Sequence, residues 1–152
     1  MISRRGFLLL GVAGVANAQL PPNIAEIRKA ALQEAIGKVT GNAQVRKGRV
    51  KLDIPPLIDN GNAVPVTVEV ESPMTQADHV KAIHLFTERN PQPYVLTAQL
   101  GPRAGKARVA TRARIADSGD VVAIAQMSDG SFWQENVRVI VTLSACLEEG
   151  LI

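Results

Sequence analysis

The chain has 152 residues, of which 46% are hydrophobic and 20% charged, a balance that suits one globular domain with a real core and excludes a disordered chain. The net charge of +3 overstates the basic character. Once Arg4 and Arg5 are assigned to a removable leader, the 17 basic residues become 15 against 14 acidic ones, so charge makes no case for nucleic acid or an anionic membrane as partner.

Residues 1–18 read as an export signal. Ser3-Arg4-Arg5-Gly6-Phe7-Leu8 sets paired arginines ahead of the apolar run Leu8 to Val15, and Ala16-Asn17-Ala18 supplies the small-residue pattern for cleavage after Ala18. The run is too short to span a bilayer comfortably. Twin arginines followed by Phe and Leu are of the Tat type, a receptor-read address for folded proteins, which predicts a periplasmic location.

Residues 19–48 are predicted to hold one helix and a linker. Asn23 is placed as N-cap with Glu26 three positions on, a capping-box spacing. Ile24, Ile27, Ala31, Leu32, Ala35 and Ile36 make one apolar face, and Gly37 is expected to close the element. Arg28, Lys29, Glu34 and Lys38 then form a solvated face.

From Arg49 the period changes to two, and residues 49–143 are predicted to be a β-sandwich. Val50, Leu52 and Ile54 alternate before Pro55-Pro56, and Val64, Val66, Val68 and Val70 alternate with Pro65, Thr67, Glu69 and Glu71. The Asn60-Gly61 pair between these runs signals a turn. Strands are expected over 81–87, 94–100, 107–115, 121–128 and 131–143, with Asp129-Gly130 as a hairpin turn before the last. About seven short strands separated by Gly, Pro and Asp turns predict an all-β, immunoglobulin-like β-sandwich with one N-terminal amphipathic helix.

Few side chains suggest chemistry. Arg108, Arg112 and Arg114 alternate with Val109, Thr111, Ala113 and Ile115 and are expected on the solvent side of their strand. His79, His84 and Met127, taken with Cys146, bring a periplasmic copper site to mind, but Leu147-Glu148-Glu149-Gly150 follow the Cys where His and Met ligands would be needed. Both histidines are expected at the surface or a sheet edge, and no metal site or cofactor is predicted. No catalytic triad, P-loop, dinucleotide fingerprint or paired-acid motif is present.

The remaining candidate is the single cysteine. Val137, Val139, Val141 and Leu143 share one face of the last strand, which leads into the tail of residues 144–152 carrying Cys146. A lone Cys is often a small buried hydrophobe. In an exported protein, however, it has no internal partner, which implies an intermolecular bond or a reactive thiol.

Together, the Tat-type start, the amphipathic helix, Lys51-Leu52-Asp53-Ile54-Pro55, the run Asp59-Asn60-Gly61-Asn62-Ala63-Val64-Pro65-Val66, the hairpin Ser128-Asp129-Gly130-Ser131-Phe132-Trp133 and a terminal strand ending near a Cys resemble SoxY. That family provides the sulfur-carrier subunit of the bacterial Sox thiosulfate-oxidation system. The resemblance covers essentially the whole mature chain. It implies a carrier rather than an enzyme, paired with a SoxZ-like subunit, visited transiently by other Sox enzymes, and holding sulfur intermediates covalently on Cys146.

The tail departs from the family's pattern. The family's cysteine lies within Gly-Gly-Cys-Gly-Gly, a thin and pliable arm, whereas here Ser144 and Ala145 precede Cys146, and Leu147, Glu148 and Glu149 follow it. The two acidic residues disfavour a thiolate, while a helical turn starting at Ser144 would favour one. Two alternatives to the carrier stand beside it: a SoxY-like binding or structural subunit that has lost covalent carriage, and an independent metal or redox protein.

Overall fold

The computed structural model of the chain describes residues 23–142. The export signal and the tail residues Ser144, Ala145, Cys146 and Leu147 therefore lie outside the described residues. One helix, α1 (Ile24–Thr40), precedes nine strands: β1 (Val45–Lys47), β2 (Val50–Asp53), β3 (Leu57–Ile58), β4 (Val64–Val70), β5 (Val80–Thr87), β6 (Tyr94–Gln99), β7 (Ala107–Ala113), β8 (Gly119–Met127) and β9 (Phe132–Val141). A 3-10 turn at Pro102–Ala104 sits between β6 and β7.

The strands form two sheets facing each other, the immunoglobulin-like sandwich that the two-residue period predicts. The larger sheet runs β1-β9-β8-β5-β6, with β3 also on β9; the smaller runs β2-β4-β7. Val64, Val66, Val68 and Val70 of β4 turn inward against Ile83 and Leu85 of β5, Val121, Ala123 and Ala125 of β8, and Val139 and Val141 of β9. Pro65 is compatible with a central strand because β2 pairs with β4 only from Thr67 onward, so a residue lacking N–H falls where β4 has a single neighbour.

Two short parallel strands share one side of β9. Val45, Arg46 and Lys47 pair with Phe132, Trp133 and Gln134, and Leu57 and Ile58 pair with Ile140 and Val141. Neither strand is among those the sequence predicts. Two or three residues cannot display a period, and each lies between turn-forming residues that mask it. At the other end, the β8–β9 hairpin turns at Asp129-Gly130 as expected, with Gly130 at φ +86° and the Asp129 carboxylate accepting from the Ser131 amide and hydroxyl at 2.9 and 2.6 Å. Those bonds hold the Asp129 carboxyl below its ordinary pKa.

The helix begins where predicted, with the Asn23 side chain accepting from the Glu26 amide at 2.9 Å. It ends later than predicted: Gly37 lies inside it, and Gly41 at φ +61° is the left-handed cap, its N–H donating to the Gly37 carbonyl. The extra turn brings Val39 onto the sheet and buries Thr40, whose hydroxyl donates to the Ile36 carbonyl. The buried face also differs. Leu32, Ala35, Ile36 and Val39 pack on Phe86, Val122, Ile124 and Phe132 as a second core outside the sandwich, whereas Ile24 and Ile27 are 62% and 51% exposed. Leu32→Ala is therefore expected to cost about 2–5 kcal/mol in urea unfolding, and Ile27→Ser less than about 0.5 kcal/mol.

Candidate functional site

Cys146 lies outside the described residues, four positions beyond Thr142, so what the structure describes is the strand end from which the tail departs. The Thr142 amide donates to the Ile58 carbonyl at 2.9 Å, and its hydroxyl reaches the Ile58 and Asp59 carbonyls at 3.3 and 3.1 Å. Ile140 donates to the Pro56 carbonyl at 2.8 Å. On the other flank, the Ser118 hydroxyl accepts from the Val141 amide at 2.9 Å. The segment Asp117-Ser118 stands in the turn before β8, where the Asp117 side chain accepts from the Ser118 amide at 2.7 Å.

The root of the tail is thus clamped from both sides, and Val141 and Ile58 are buried beneath it. The outward side differs. Leu57 and Ile140, paired neighbours in the sheet, are 59% and 58% exposed and leave an apolar step beside the point where the tail departs. The clamp fixes the position of Thr142, the point from which the tail departs.

The other residues singled out in the sequence fall elsewhere. Arg108, Arg112 and Arg114 are exposed on the solvent side of the small sheet, with Arg108 across from Glu69 and Arg112 across from Pro65. His79 lies at the opposite end of the large sheet, its amide donating to the Ser128 hydroxyl at 3.1 Å and its ring to the Thr75 carbonyl at 3.0 Å. Met127 points into the sandwich core. Among the described residues, no group of three or more His, Cys, Asp or Glu side chains is placed to hold a metal ion.

His84 corrects the expectation of a surface histidine, being only 7% exposed. β5 is an interior strand between β8 and β6, and the outward side of β5 at this point is covered. The ring Nδ1 is 2.6 Å from the Thr97 hydroxyl, which also bonds the Tyr94 hydroxyl. Burial lowers the imidazole pKa, opposed by a hydrogen bond with Gln126. His84 aligns with Ile124 and, one strand further, with Gln134. That is eight residues before Thr142, about 26 Å along the strand, so the Tyr94-Thr97-His84 group does not join the tail root. An alternating strand pattern could have flagged its burial, since Ala82 and Phe86 on the same face are apolar.

The family model for the sulfur oxidation protein SoxY matches residues 36–146, a stretch that takes in Cys146 and stops there. Among solved structures, the sulfur carrier protein SoxY from Chlorobium limicola f thiosulfatophilum is similar with a TM-score of 0.63 and 28% identity, covering 75% of this chain and 98% of that one. A superoxide reductase (neelaredoxin) from Ignicoccus hospitalis is similar at TM-score 0.55 and 19% identity, covering 62% of this chain and 80% of its own. A second, putative superoxide reductase, from Thermotoga maritima, is similar at 0.53 and 18%, covering 64% and 87%; at these identities the likeness shows a shared sandwich fold. No curated protein matches the sequence.

The buried imidazole has a direct consequence for stability. Its folded pKa lies below the unfolded value, so neutral His84 contributes stability above about pH 6.5, and that contribution is lost as pH falls through the folded pKa. Urea midpoints are expected to drop between pH 7 and pH 5, and His84→Gln is expected to flatten that drop.

Proposed function

Since the chain belongs to the SoxY family of sulfur oxidation proteins, we propose that it is a periplasmic sulfur carrier of thiosulfate oxidation, a substrate-bearing subunit rather than an enzyme. Cys146 is the attachment point. The observation that carries this reading is the family match running to Cys146, the sole cysteine of the sequence. A clamped strand end supports it physically: Thr142 and Val141 hold the tail's origin to the sandwich, so the cargo-bearing sulfur has a fixed base and a radius of roughly 13 Å.

Joining the Cys146 thiol to thiosulfate forms a sulfur–sulfur bond, releases the thiol proton and gives up two electrons. An oxidising enzyme of the Sox system takes the electrons, and other members of the system then act on the bound cargo. Export by the twin-arginine signal delivers the protein already folded. Intact mass of protein recovered from periplasm checks both points. A chain beginning at Gln19 and carrying a sulfur adduct that Cys146→Ser abolishes is expected; retention of Met1 would remove the export reading.

A second reading, a SoxY-like binding subunit without covalent carriage, is favoured by Leu147, Glu148 and Glu149 standing where the family resemblance calls for glycines. A variant with Gly-Gly at positions 147–148, truncated after position 148, separates the two. If that variant is loaded by thiosulfate and the cognate enzymes while the natural tail stays bare, the second reading replaces the first. If both load, with the glycine arm faster, carriage stands.

The partner is a SoxZ-like subunit forming a heterodimer. Open sheet edges at β6, β2 and β7 offer backbone groups for such a contact. Co-expression followed by size exclusion is expected to give a one-to-one complex, and a chain that elutes as a monomer beside its partner would count against the heterodimer.

A further inference from the structure

The outward face of β9 carries more than the strand needs for folding. Between α1 and the large sheet lies a groove of about 450 Å³ that extends along β9 over Gln134, Asn136 and Arg138, toward Ile140 and the tail root. Its apolar lining is Leu32 and Ile36 from the helix with Val45 and Val122 from the sheet. Its charged rim holds Lys29, Lys47 and Arg138 against Glu88 and Asp120.

The two acids are already engaged. One Glu88 oxygen accepts from the Asp120 amide at 3.1 Å and the other lies 3.9 Å from the Arg89 guanidinium, while the Asp120 carboxylate is 3.7 Å from Arg138. Lys29 and Lys47 have no ion pair among the described residues. The rim is therefore net positive and its uncompensated charge is on the two lysines.

We propose that this groove receives the chain's own segment 147–152, folded back over β9. Three observations select that occupant. Glu148 and Glu149 complement the lysine pair in charge, and Leu151 and Ile152 match the apolar lining. The tail springs from the strand that floors the groove. The lengths also agree: Arg138 is four residues, about 13 Å, behind Thr142, and six residues separate Thr142 from Glu148, enough for a reversal and a return to Arg138. Four more residues carry Ile152 about 13 Å further, under Leu32 and Ile36. Leu147 then falls over the Leu57–Ile140 step.

Docking in this way holds Cys146 beside the clamped root instead of leaving it free to swing. The effect on cargo transfer rests on the carrier reading; the docking itself does not, and its test needs no sulfur chemistry. In the purified mature chain, alkylation of Cys146 by iodoacetamide is compared between wild type, the double variant Lys29→Glu/Lys47→Glu, and a chain truncated after Gly150. Placing acids near a thiol disfavours its thiolate and would slow the reaction by charge alone. Release of the tail gives the opposite sign. Both variants are expected to react faster, the lysine-reversed one by about fivefold, the factor that losing an exposed ion pair at the upper end of its usual strength provides, and the truncated one because its apolar anchor is gone. In a Cys146→Ser background, Gln33→Cys with Ile152→Cys is expected to form a disulfide under mild oxidation, and Arg112→Cys with Ile152→Cys is not. Alkylation that is unchanged or slower in both variants, or equal trapping at positions 33 and 112, overturns the proposal. Protection of groove amides from hydrogen exchange that appears only with a SoxZ-like partner present would also overturn it, assigning the groove to that partner.

Discussion

The pairing of β9 with three other parts of the chain is the constraint on which the molecule depends. On one side the strand runs antiparallel to β8 from Phe132 to Val139; on the other it accepts β1 at its start and β3 at its end. Its inward side chains, Val137, Val139 and Val141, close the sandwich, and Phe132 on the opposite side helps seat the helix. One element therefore joins both cores. Thr142, bonded to the Ile58 and Asp59 carbonyls, holds the end of the strand to the sandwich.

The helix and the sandwich are coupled through the large sheet, each core using one of its faces. Leu85 and Phe86 are adjacent in β5 yet belong to different clusters, the first between the sheets and the second under α1. Alternation along a strand is what permits this. The consequence for the site is that α1, although far from Thr142 in sequence, borders the outer face of the strand that bears the tail.

Much of this was legible in the residues. The alternation of valines in β4 gave the strand and its buried face, and Asp129-Gly130 gave the hairpin before β9. What escaped has physical causes. β1 and β3 are parallel partners of a strand far away in sequence, and such pairing leaves no local turn signal. Gly37 carried the usual mark of a helix end, but the apolar contacts of Val39 continue the helix to a glycine that adopts φ +61°. The polarity of His84 points to the surface or a sheet edge, whereas its place between Ala82 and Phe86 puts it on a covered face. At the site, the sequence supplied Cys146 and the clamp's residues supplied its base; Ser118 and Thr142 gave no prior sign, since a hydroxyl that bonds a distant backbone looks like any other surface serine or threonine.

The central place of the last strand also bears on the order of events in the cell. Thr142 and Ile58 are 84 residues apart in the chain and meet only when β9 docks. Contacts at such separation demand that a long loop be closed before any return is realised. A chain still lacking β9 has no strand to receive β1 or β3 and none to cover the inner face beside β8, so the sandwich cannot close before β9 docks. Closure is thus a late step, and the valine-rich inner face of β4 stays exposed until β9 arrives, the interval in which the chain is open to aggregation.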